Sequence, residues 1–477
     1  MRKRVQWPIL VGLLLPLAGA AALLLWLGSA AARANILLIT VDSLRADHLG
    51  AYGYPRSTSP NLDALARSGV RFTGAFTQAT LSGPAHATLL TSLPVPAHGV
   101  VNNSVILGLE NLTLAEVLRA AGYETAMFVS DVFVSHQFGF AQGFDQFQLH
   151  PVGHHGPRHR HLEMPEPVSS PAAVFDHARA WLARPHAKPF FLWLHAQHPH
   201  ESYDPPAPYD QKFAAPPASA HDLRCMHTTA AHQRRRIRLN DAERGYLEAL
   251  YDGEIAYVDS QVGQILSGLR AAGLEDHTIV VLTADHGEML FDDPDRRLVG
   301  HGRHRFDPVL RVPLLVRAPG VGGGERIETM VGLIDLAPTL LELAGIQVPA
   351  FFVGRSLVPL IRGNQDEIRS ENYSCTIHTD SKARLSLRTA RRKLICDKGP
   401  SQLPCQLYDL DRDPREQQDL TRDRRYARDF VRLRAALQAW FAEQMERGRV
   451  RPGRLDLKAK ELLRRAGYLE PEEEQGS

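Results

Sequence analysis

The chain of 477 residues has few cysteines and almost no net charge. Its four cysteines lack the spacing of a zinc site and are too few for a disulfide-dense small protein. A formal net charge of +2 gives no overall attraction to nucleic acid, so we expect no nucleic-acid partner. Internal repeats and coiled-coil heptads are also missing from the sequence. The length instead predicts one large α/β core with a smaller second unit.

Two of the cysteines flank a short turn in the segment ICDKGPSQLPC. Cys396 and Cys405 could close a hairpin disulfide if this part of the chain lies outside the cytoplasm. Two unpaired thiols are an equally weighted alternative.

The N-terminus begins with MRKR, which precedes an apolar run over residues 7–27. A membrane helix needs about 20 such residues. The preceding basic residues favour a cytoplasmic N-terminus. A signal peptide cleaved near Ala32-Arg33-Ala34 is the alternative, but its apolar core is usually only about 7–15 residues long. We therefore expect residues 1–33 to form a single span in the inner membrane, with the remainder of the chain in the periplasm.

Two apolar runs far apart in the sequence both end in a carboxylate. Asn35–Val41 and Thr278–Thr283 are typical of parallel strands that are covered on both faces. The first run is followed by Asp42, and the second by Asp285 and His286. Open α/β sheets bind ligands at the carboxyl ends of their strands, so we expect these side chains to face a site.

A hydroxyl precedes a predicted helix in the segment Leu81–Thr91, LSGPAHATLLT. Pro84 suits the first helical position. Ser82 would then lie beside unpaired backbone N–H groups, where a sulfate or phosphate group can bind. A simple Ser-Gly-Pro turn that caps a helix is the alternative for this segment considered alone.

The chain divides into a core over residues 34–365, a small antiparallel unit over residues 366–420, and a helix with an acidic tail over residues 421–477. Within the core, Met330–Gly345 is predicted to be helical. The histidine-rich segment His150–Pro167 and the basic segment Ala214–Leu239 are expected to be solvated surface loops.

These residues together suit a single divalent cation. Two carboxylates, an imidazole and a hydroxyl provide mixed nitrogen and oxygen ligands from Asp42, Asp285, His286 and Ser82. A bound cation would favour the alkoxide of the serine, which could attack a sulfate or phosphate ester. The leaving oxygen then needs a proton donor, and His200 and His301 on nearby loops are the candidates.

Several segments resemble the sulfatase family within the alkaline phosphatase superfamily. They include NILLITVDSLRADHLGAYGY, SGPAH with LLTSL, PFFLWLHAQHPHESYDPP, TIVVLTADHGE, HGRHRFDPVLRVPLLVRAPG and LYDLDRDPREQQDL. The resemblance extends from Asn35 to about Leu420, and the order of the segments makes it specific. It implies an alkaline-phosphatase-like α/β core with a central mixed, mostly parallel sheet between helices, followed by a small C-terminal antiparallel sheet.

The resemblance also implies roles for individual residues. Asp42, Asp285 and His286 would bind the metal, and Ser82 would be both nucleophile and metal ligand. His200 and His301 would contact the transferred group or the leaving oxygen. Three further residues are candidates for substrate contact, although a buried structural role is an equal alternative for the second: His86, His195 and Arg303.

Three positions depart from the family pattern. His86 replaces the arginine that belongs to the signal for oxidation of the nucleophile to formylglycine, so both modified and unmodified Ser82 are alternatives. Ser43 stands where many sulfatases have a second acidic ligand, and His286 where they often have asparagine. The resemblance implies calcium, whereas the imidazole ligand favours zinc or manganese.

Our first hypothesis is a membrane-anchored, metal-dependent hydrolase of sulfate esters. The rival on the same fold is a phosphoester or phosphonate-ester hydrolase, or a phosphoethanolamine- or phosphoglycerol-type transferase, that uses unmodified Ser82. The substrate would be a sulfated or phosphorylated small molecule, glycan or lipid. A non-catalytic binding protein is the alternative from another class, since fold alone does not determine function.

Overall fold

The computed structural model describes residues 33–152, 169–219, 223, 239–292, 299–377, 383–398, 404–448 and 453–454. The strands in chain order are β1 (Asn35–Val41), β2 (Val70–Phe76), β3 (Val105–Ile106), β4 (Glu124–Val129), β5 (Gln146–Leu149), β6 (Phe190–Ala196), β7 (Thr278–Ala284), β8 (Met289–Leu290), β9 (Val299–Gly300), β10 (Leu314–Arg317), β11 (Glu325–Gly332), β12 (Glu371–Ile377), β13 (Ala383–Thr389), β14 (Arg392–Lys398), β15 (Cys405–Asp409) and β16 (Gly453–Arg454).

The helices of the described chain follow in the same way. They are α1 (Pro60–Ser68), α2 (Ser82–Thr91), α3 (Val95–His98), α4 (Leu114–Ala120), α5 (Ala173–Leu182), α6 (Asp241–Ala271), α7 (Asp307–Leu310), α8 (Leu336–Leu343), α9 (Val358–Ile361) and α10 (Ala427–Arg447). Among these helices, none combines the length and the apolar character needed to cross a bilayer. The predicted N-terminal anchor lies outside the described residues, apart from Arg33.

The large sheet has eight strands within the described residues, in the order β11-β2-β10-β7-β1-β6-β4-β5. Only β10 runs opposite to the others, since it pairs in antiparallel fashion with both β2 and β7. The central strands β1, β6 and β7 are buried along their full length, as their largely apolar sequences favour. The predicted mixed, mostly parallel α/β sheet is therefore confirmed.

A second sheet lies near the C-terminus, in the order β12-β13-β14-β15, with antiparallel pairing throughout. Cys396 and Cys405 are paired across β14 and β15 and form a disulfide, which selects one of the two alternatives that the sequence left open. The apolar face of α10 packs on this sheet through Leu433, Leu437 and Phe441. The small C-terminal antiparallel sheet is thus also confirmed, while the domain boundaries stay predictions.

The expected helix over Met330–Gly345 is wrong in its first part. Residues up to Gly332 belong to β11, which pairs in parallel with β2 at the edge of the large sheet. A short 3-10 turn, Leu333–Asp335, then leads into α8. Pairing with a neighbouring strand outweighs the helical spacing of the apolar residues here.

The two surface loops predicted at His150–Pro167 and Ala214–Leu239 fall mostly outside the described residues. Within the first of them His150 is described, and its main-chain N–H donates to the Val129 carbonyl at the end of β4.

A buried ion cluster joins the small sheet to the core. Lys393 on β14 is fully buried, and its Nζ lies 2.8 Å from carboxylate oxygens of both Asp307 and Glu416. Arg388 on β13 makes a second ion pair with Asp307 at 3.0 Å. Asp307 begins α7, on the segment that follows the candidate catalytic His301, so this cluster anchors a loop of the site to the small sheet.

We expect Lys393→Met to lower the free energy of unfolding by about 3–5 kcal/mol, because it removes a buried cation from the fully buried carboxylate of Glu416 and from Asp307, which keeps its ion pair with Arg388. Urea denaturation would measure the change. The matched control is Arg391→Ala, which removes an exposed ion pair with Asp411 and should cost less than about 1 kcal/mol. Equal effects of the two substitutions would contradict the anchoring role.

Candidate active site

The candidate site lies where neighbouring strands of the large sheet end. β1 pairs in parallel with β7 on one side and with β6 on the other, and the last residues of the three strands are in register. The residues that follow these strands therefore emerge side by side. Asp42 follows β1, and Asp285 and His286 follow β7, as the sequence predicts.

Asp42, Asp285 and His286 form a compact group of possible metal ligands. One ligand atom from each lies within 4.8 Å of the others. Nε2 of His286 is 3.7 Å from Oδ1 of Asp42 and 3.5 Å from Oδ2 of Asp285. All three side chains are buried. The sequence prediction that these residues converge is correct, and their role as ligands stays a prediction.

Hydrogen bonds fix the orientation of this group. Ser43 donates its hydroxyl to Oδ1 of Asp42 (3.1 Å) and its main-chain N–H to Oδ1 of Asp285 (3.2 Å). Nδ1 of His286 donates to the Gly287 carbonyl (3.1 Å), so Nε2 of the neutral ring carries a lone pair. Within the described residues, Nε2 of His286 and Oδ2 of Asp285 are buried without a hydrogen-bond partner. Buried unsatisfied acceptors of this kind fit a cation.

The electrostatics of the group also favour a bound cation. Burial raises the pKa of Asp42 well above its usual range, and the neighbouring carboxylates Asp285 and Asp131 raise it further. Burial lowers the pKa of His286 to about 3, so its ring is neutral and suited to metal coordination. A divalent cation would relieve the repulsion among the carboxylates.

Ser82 is the first residue of α2 rather than its cap. Leu81 occupies the cap position, and no side chain caps the helix. The expectation that Pro84 holds the first helical position is therefore wrong by two residues; proline fits because the N–H groups of the whole first turn lack helical partners. The Ser82 side chain is 3 % exposed. Its hydroxyl is not used for capping and is available to the site.

Asp131 was missed in the sequence analysis. It directly follows Ser130 at the end of β4, and the Phe133 main-chain N–H donates to its Oδ1 (2.9 Å). Burial raises the pKa of Asp131 to about 7, and a hydrogen bond from Ser82 opposes that rise. The available signal was the one used for Asp42, a carboxylate that directly follows an apolar strand.

His86 and His195 meet at the hydroxyl of Thr40 on β1. Nδ1 of His86 lies 2.9 Å from the Ser82 carbonyl, and its Nε2 lies 3.2 Å from Oγ1 of Thr40. Nδ1 of His195 lies 2.9 Å from the same oxygen, to which Trp193 also donates. Both nitrogens of His86 are therefore used inside the protein. A substrate contact by His86 would require one of these hydrogen bonds to break.

His200 and His301 lie together beside the metal-ligand group. Their ring centroids are 5.0 Å apart, and His301 stacks on His286 at 4.3 Å. Nδ1 of His301 lies 3.2 Å from Oε1 of Glu288, which is fully buried. Burial alone would lower the pKa of His301, but the Glu288 carboxylate reverses this effect and the pKa is raised.

The pKa of His200 shifts in the opposite direction from that of His301. Nδ1 of His200 donates to the Glu201 carbonyl at 2.6 Å. Burial and the neighbouring His301 lower the pKa of His200. Its ring is therefore neutral, with the proton on Nδ1. The predicted substrate contact Arg303 has an exposed side chain on the loop after His301, and its carbonyl accepts a hydrogen bond from Arg384.

The arrangement combines a group of possible metal ligands, a hydroxyl at a helix N-terminus and an imidazole whose pKa is raised by a neighbouring carboxylate. These are the components of nucleophilic attack on an anionic ester with proton donation to the leaving oxygen.

Comparisons with known proteins find matches over most of the chain. A sequence model of the family described as Sulfatase matches residues 34–346, and one described as N-sulphoglucosamine sulphohydrolase, C-terminal, matches residues 300–443. The multifunctional alkaline phosphatase superfamily protein PehA of Trinickia caryophylli is 29 % identical, over 84 % of this chain and 94 % of that protein. The Delta 4,5-hexuronate-2-O-sulfatase of Bacteroides thetaiotaomicron is 26 % identical, over 91 % of this chain and 92 % of that protein.

The crystal structure of the phosphonate monoester hydrolase of Agrobacterium radiobacter is also similar. It aligns with a TM-score of 0.73 and 26 % identity, and the alignment covers 86 % of this chain and 96 % of that chain. The resemblance predicted from the motifs is thereby confirmed. Because the first family model spans well over half of its residues, the chain belongs to the sulfatase family.

Proposed function

We propose that this sulfatase-family hydrolase cleaves a sulfate ester with the help of a divalent cation, and that Ser82 provides the attacking oxygen. The observation that carries the proposal is the buried group of Asp42, Asp285 and His286 at the end of the sheet. His86 links this group to the nucleophile, since its Nδ1 bonds the Ser82 carbonyl and lies 3.9 Å from Oδ2 of Asp285.

The residues present fit a bound cation. Oδ2 of Asp285 and Nε2 of His286 are oriented, buried and without a protein partner among the described residues. A divalent cation held by them would supply positive charge that favours the serine alkoxide and the charge that develops on the ester. The imidazole ligand favours zinc or manganese over calcium.

His301 is the group that we propose donates a proton to the leaving oxygen. Glu288 accepts from its Nδ1–H and holds the ring in place, so Nε2–H of the protonated ring faces away from that carboxylate. His200 is less suited to this role because its pKa is lowered, and the one N–H of its neutral ring, on Nδ1, is donated to a carbonyl. We propose instead that His200 contacts the transferred group.

The environment of His86 favours a second candidate function. The family pattern has an arginine at this position in the signal for oxidation of the nucleophile, whereas here a fully buried imidazole bonds the Ser82 carbonyl. An unmodified serine suits hydrolysis of a phosphate or phosphonate ester. The similarity to PehA and to the phosphonate monoester hydrolase supports this alternative.

The substrate class that we propose is a sulfated glycan or a sulfated small molecule. It is supported by the names of similar proteins, among them a hexuronate-2-O-sulfatase and an N-acetylglucosamine-6-O-sulfatase. The apolar run over residues 7–27 supports the further proposal that the enzyme is anchored in the inner membrane and acts in the periplasm.

Ser82→Ala should lower kcat for an aryl sulfate by about 10³-fold or more, because it removes the attacking oxygen. The control Ser68→Ala changes an exposed serine at the end of α1 and should leave kcat unchanged.

Mass spectrometry of the Ser82 peptide separates the two candidates. A peptide lighter by two hydrogens supports sulfate chemistry, whereas intact serine with faster turnover of aryl phosphonate or phosphate supports the second candidate. Full activity of Ser82→Ala would contradict both.

Asp285→Asn should reduce the content of bound divalent cation and lower turnover by about 10²-fold or more, since it removes a charged ligand. Elemental analysis and a rate assay after dialysis would measure both effects. Asp276→Asn is the matched control, because Asp276 is exposed just before β7. A metal content unchanged by Asp285→Asn would rule out the proposed ligand set.

His301→Gln should slow esters with poor leaving groups by about 10²–10⁴-fold and slow nitrophenyl esters much less, because a nitrophenolate leaves without a proton. A series of aryl esters with increasing leaving-group pKa would measure this dependence. His200→Gln is the comparison and should slow the whole series evenly. An even effect of His301→Gln as well would exclude His301 as the proton donor.

A further inference from the structure

A second group of possible metal ligands lies on the other side of Asp42. One ligand atom each from Asp42, Asp131 and His195 lie within 4.8 Å of one another. The three residues follow or end the adjacent strands β1, β4 and β6, and their side chains are at most 2 % exposed. The mechanism described above uses Asp42 but gives no role to Asp131 or His195.

Each of the two additional residues has a buried polar atom without a partner. Oδ1 of Asp131 accepts the Phe133 N–H, while Oδ2 is buried and has no partner among the described residues. Nε2 of His195 is likewise buried and unpartnered there, although Nδ1 is bonded to Thr40. Buried acceptors with no donor are costly unless an unseen group satisfies them.

The hydrogen-bond chain through Thr40 fixes the tautomer of His195. The Ser82 carbonyl can only accept, so Nδ1 of His86 must carry the proton, and Nε2 of this neutral ring must accept from the Thr40 hydroxyl. The two lone pairs of Thr40 then accept from Trp193 Nε1–H and from Nδ1–H of His195. Nε2 of His195 is left with a lone pair, which is the form of imidazole that binds a metal.

The charge of the site gives an independent reason for a second cation. Asp42, Asp131 and Asp285 place three carboxylates at this centre, each at most 2 % exposed, and contribute three negative charges when ionised. One divalent cation would leave the centre with a net negative charge, which repels a sulfate or phosphate ester. Two divalent cations would make it positive and attract the same substrate.

We propose that Asp42, Asp131 and His195 form a second divalent-cation site, which shares the carboxylate of Asp42 with the first. Its mixed oxygen and nitrogen ligands suit zinc or manganese. A cation held there would be close to the Ser82 hydroxyl, which donates a hydrogen bond to Asp131. The proposal concerns binding and does not require that the substrate be a sulfate ester.

The test is a metal count on the full chain, stripped with a chelator and then titrated with Mn²⁺ or Zn²⁺ alone. Elemental analysis and native mass spectrometry should find two ions per chain in the wild type. Asp131→Asn and His195→Gln should each reduce the count to one, and Asp285→Asn should remove the other ion. In the Mn²⁺ form, electron paramagnetic resonance should show an exchange-coupled pair that is absent from Asp131→Asn.

The controls separate this inference from the proposed function. Asp145→Asn changes an exposed aspartate just before β5 and should retain two ions. Circular dichroism would verify that each variant is folded, and Asp131→Asn is preferred because it preserves the acceptor for the Phe133 N–H. A single ion in the wild type, or two ions in folded Asp131→Asn, would overturn the second site. A single ion that depends on Asp285 would leave the proposed function intact.

Discussion

Repulsion between carboxylates at one buried edge of a sheet is the constraint on which this site depends. Parallel strands end at the same edge, so acidic residues that follow β1, β4 and β7 come together without any contribution from long loops. Burial and mutual repulsion raise the pKa of Asp42 well above its usual range. A bound cation would stabilise the ionised form of these carboxylates.

Polar residues that contact the carboxylates and histidines determine which ligand atoms of the site remain without a hydrogen bond. Thr40 is an interior residue of β1, yet its hydroxyl joins His86, His195 and Trp193 in one network. Ser43 similarly orients two carboxylates from a position with φ of 58°, in the left-handed region. Thr40 and Ser43 therefore orient the histidines and carboxylates of the site without contacting the substrate themselves.

The sequence predicted the central strands well because long apolar runs have few alternatives in a large α/β protein. It also predicted that Asp42, Asp285 and His286 converge, since each directly follows such a run. It failed at β11, where the helical spacing of apolar residues was outweighed by pairing with β2. It also missed Asp131, which lies just beyond β4 as Asp42 lies just beyond β1.

Other features could not be predicted from the sequence in principle. The tautomers of His86 and His195 depend on a carbonyl, a hydroxyl and an indole from three separate segments. The pairing of His301 with Glu288 depends on the antiparallel pairing of β8 with β9, which brings Gly300 opposite Met289. Such relations are set by tertiary packing, and sequence spacing contains no information about them.

His86 stands where the family pattern has an arginine, and this difference affects the charge of the site. An arginine would bring a permanent positive charge into the site, next to three carboxylates, whereas the buried imidazole is neutral because burial lowers its pKa. The positive charge needed to bind an anionic ester must then come from another source. His301 is balanced by Glu288, and Arg303 has an exposed side chain. Under the proposed mechanism, a divalent cation held by Asp42, Asp285 and His286 would supply that positive charge in place of the arginine.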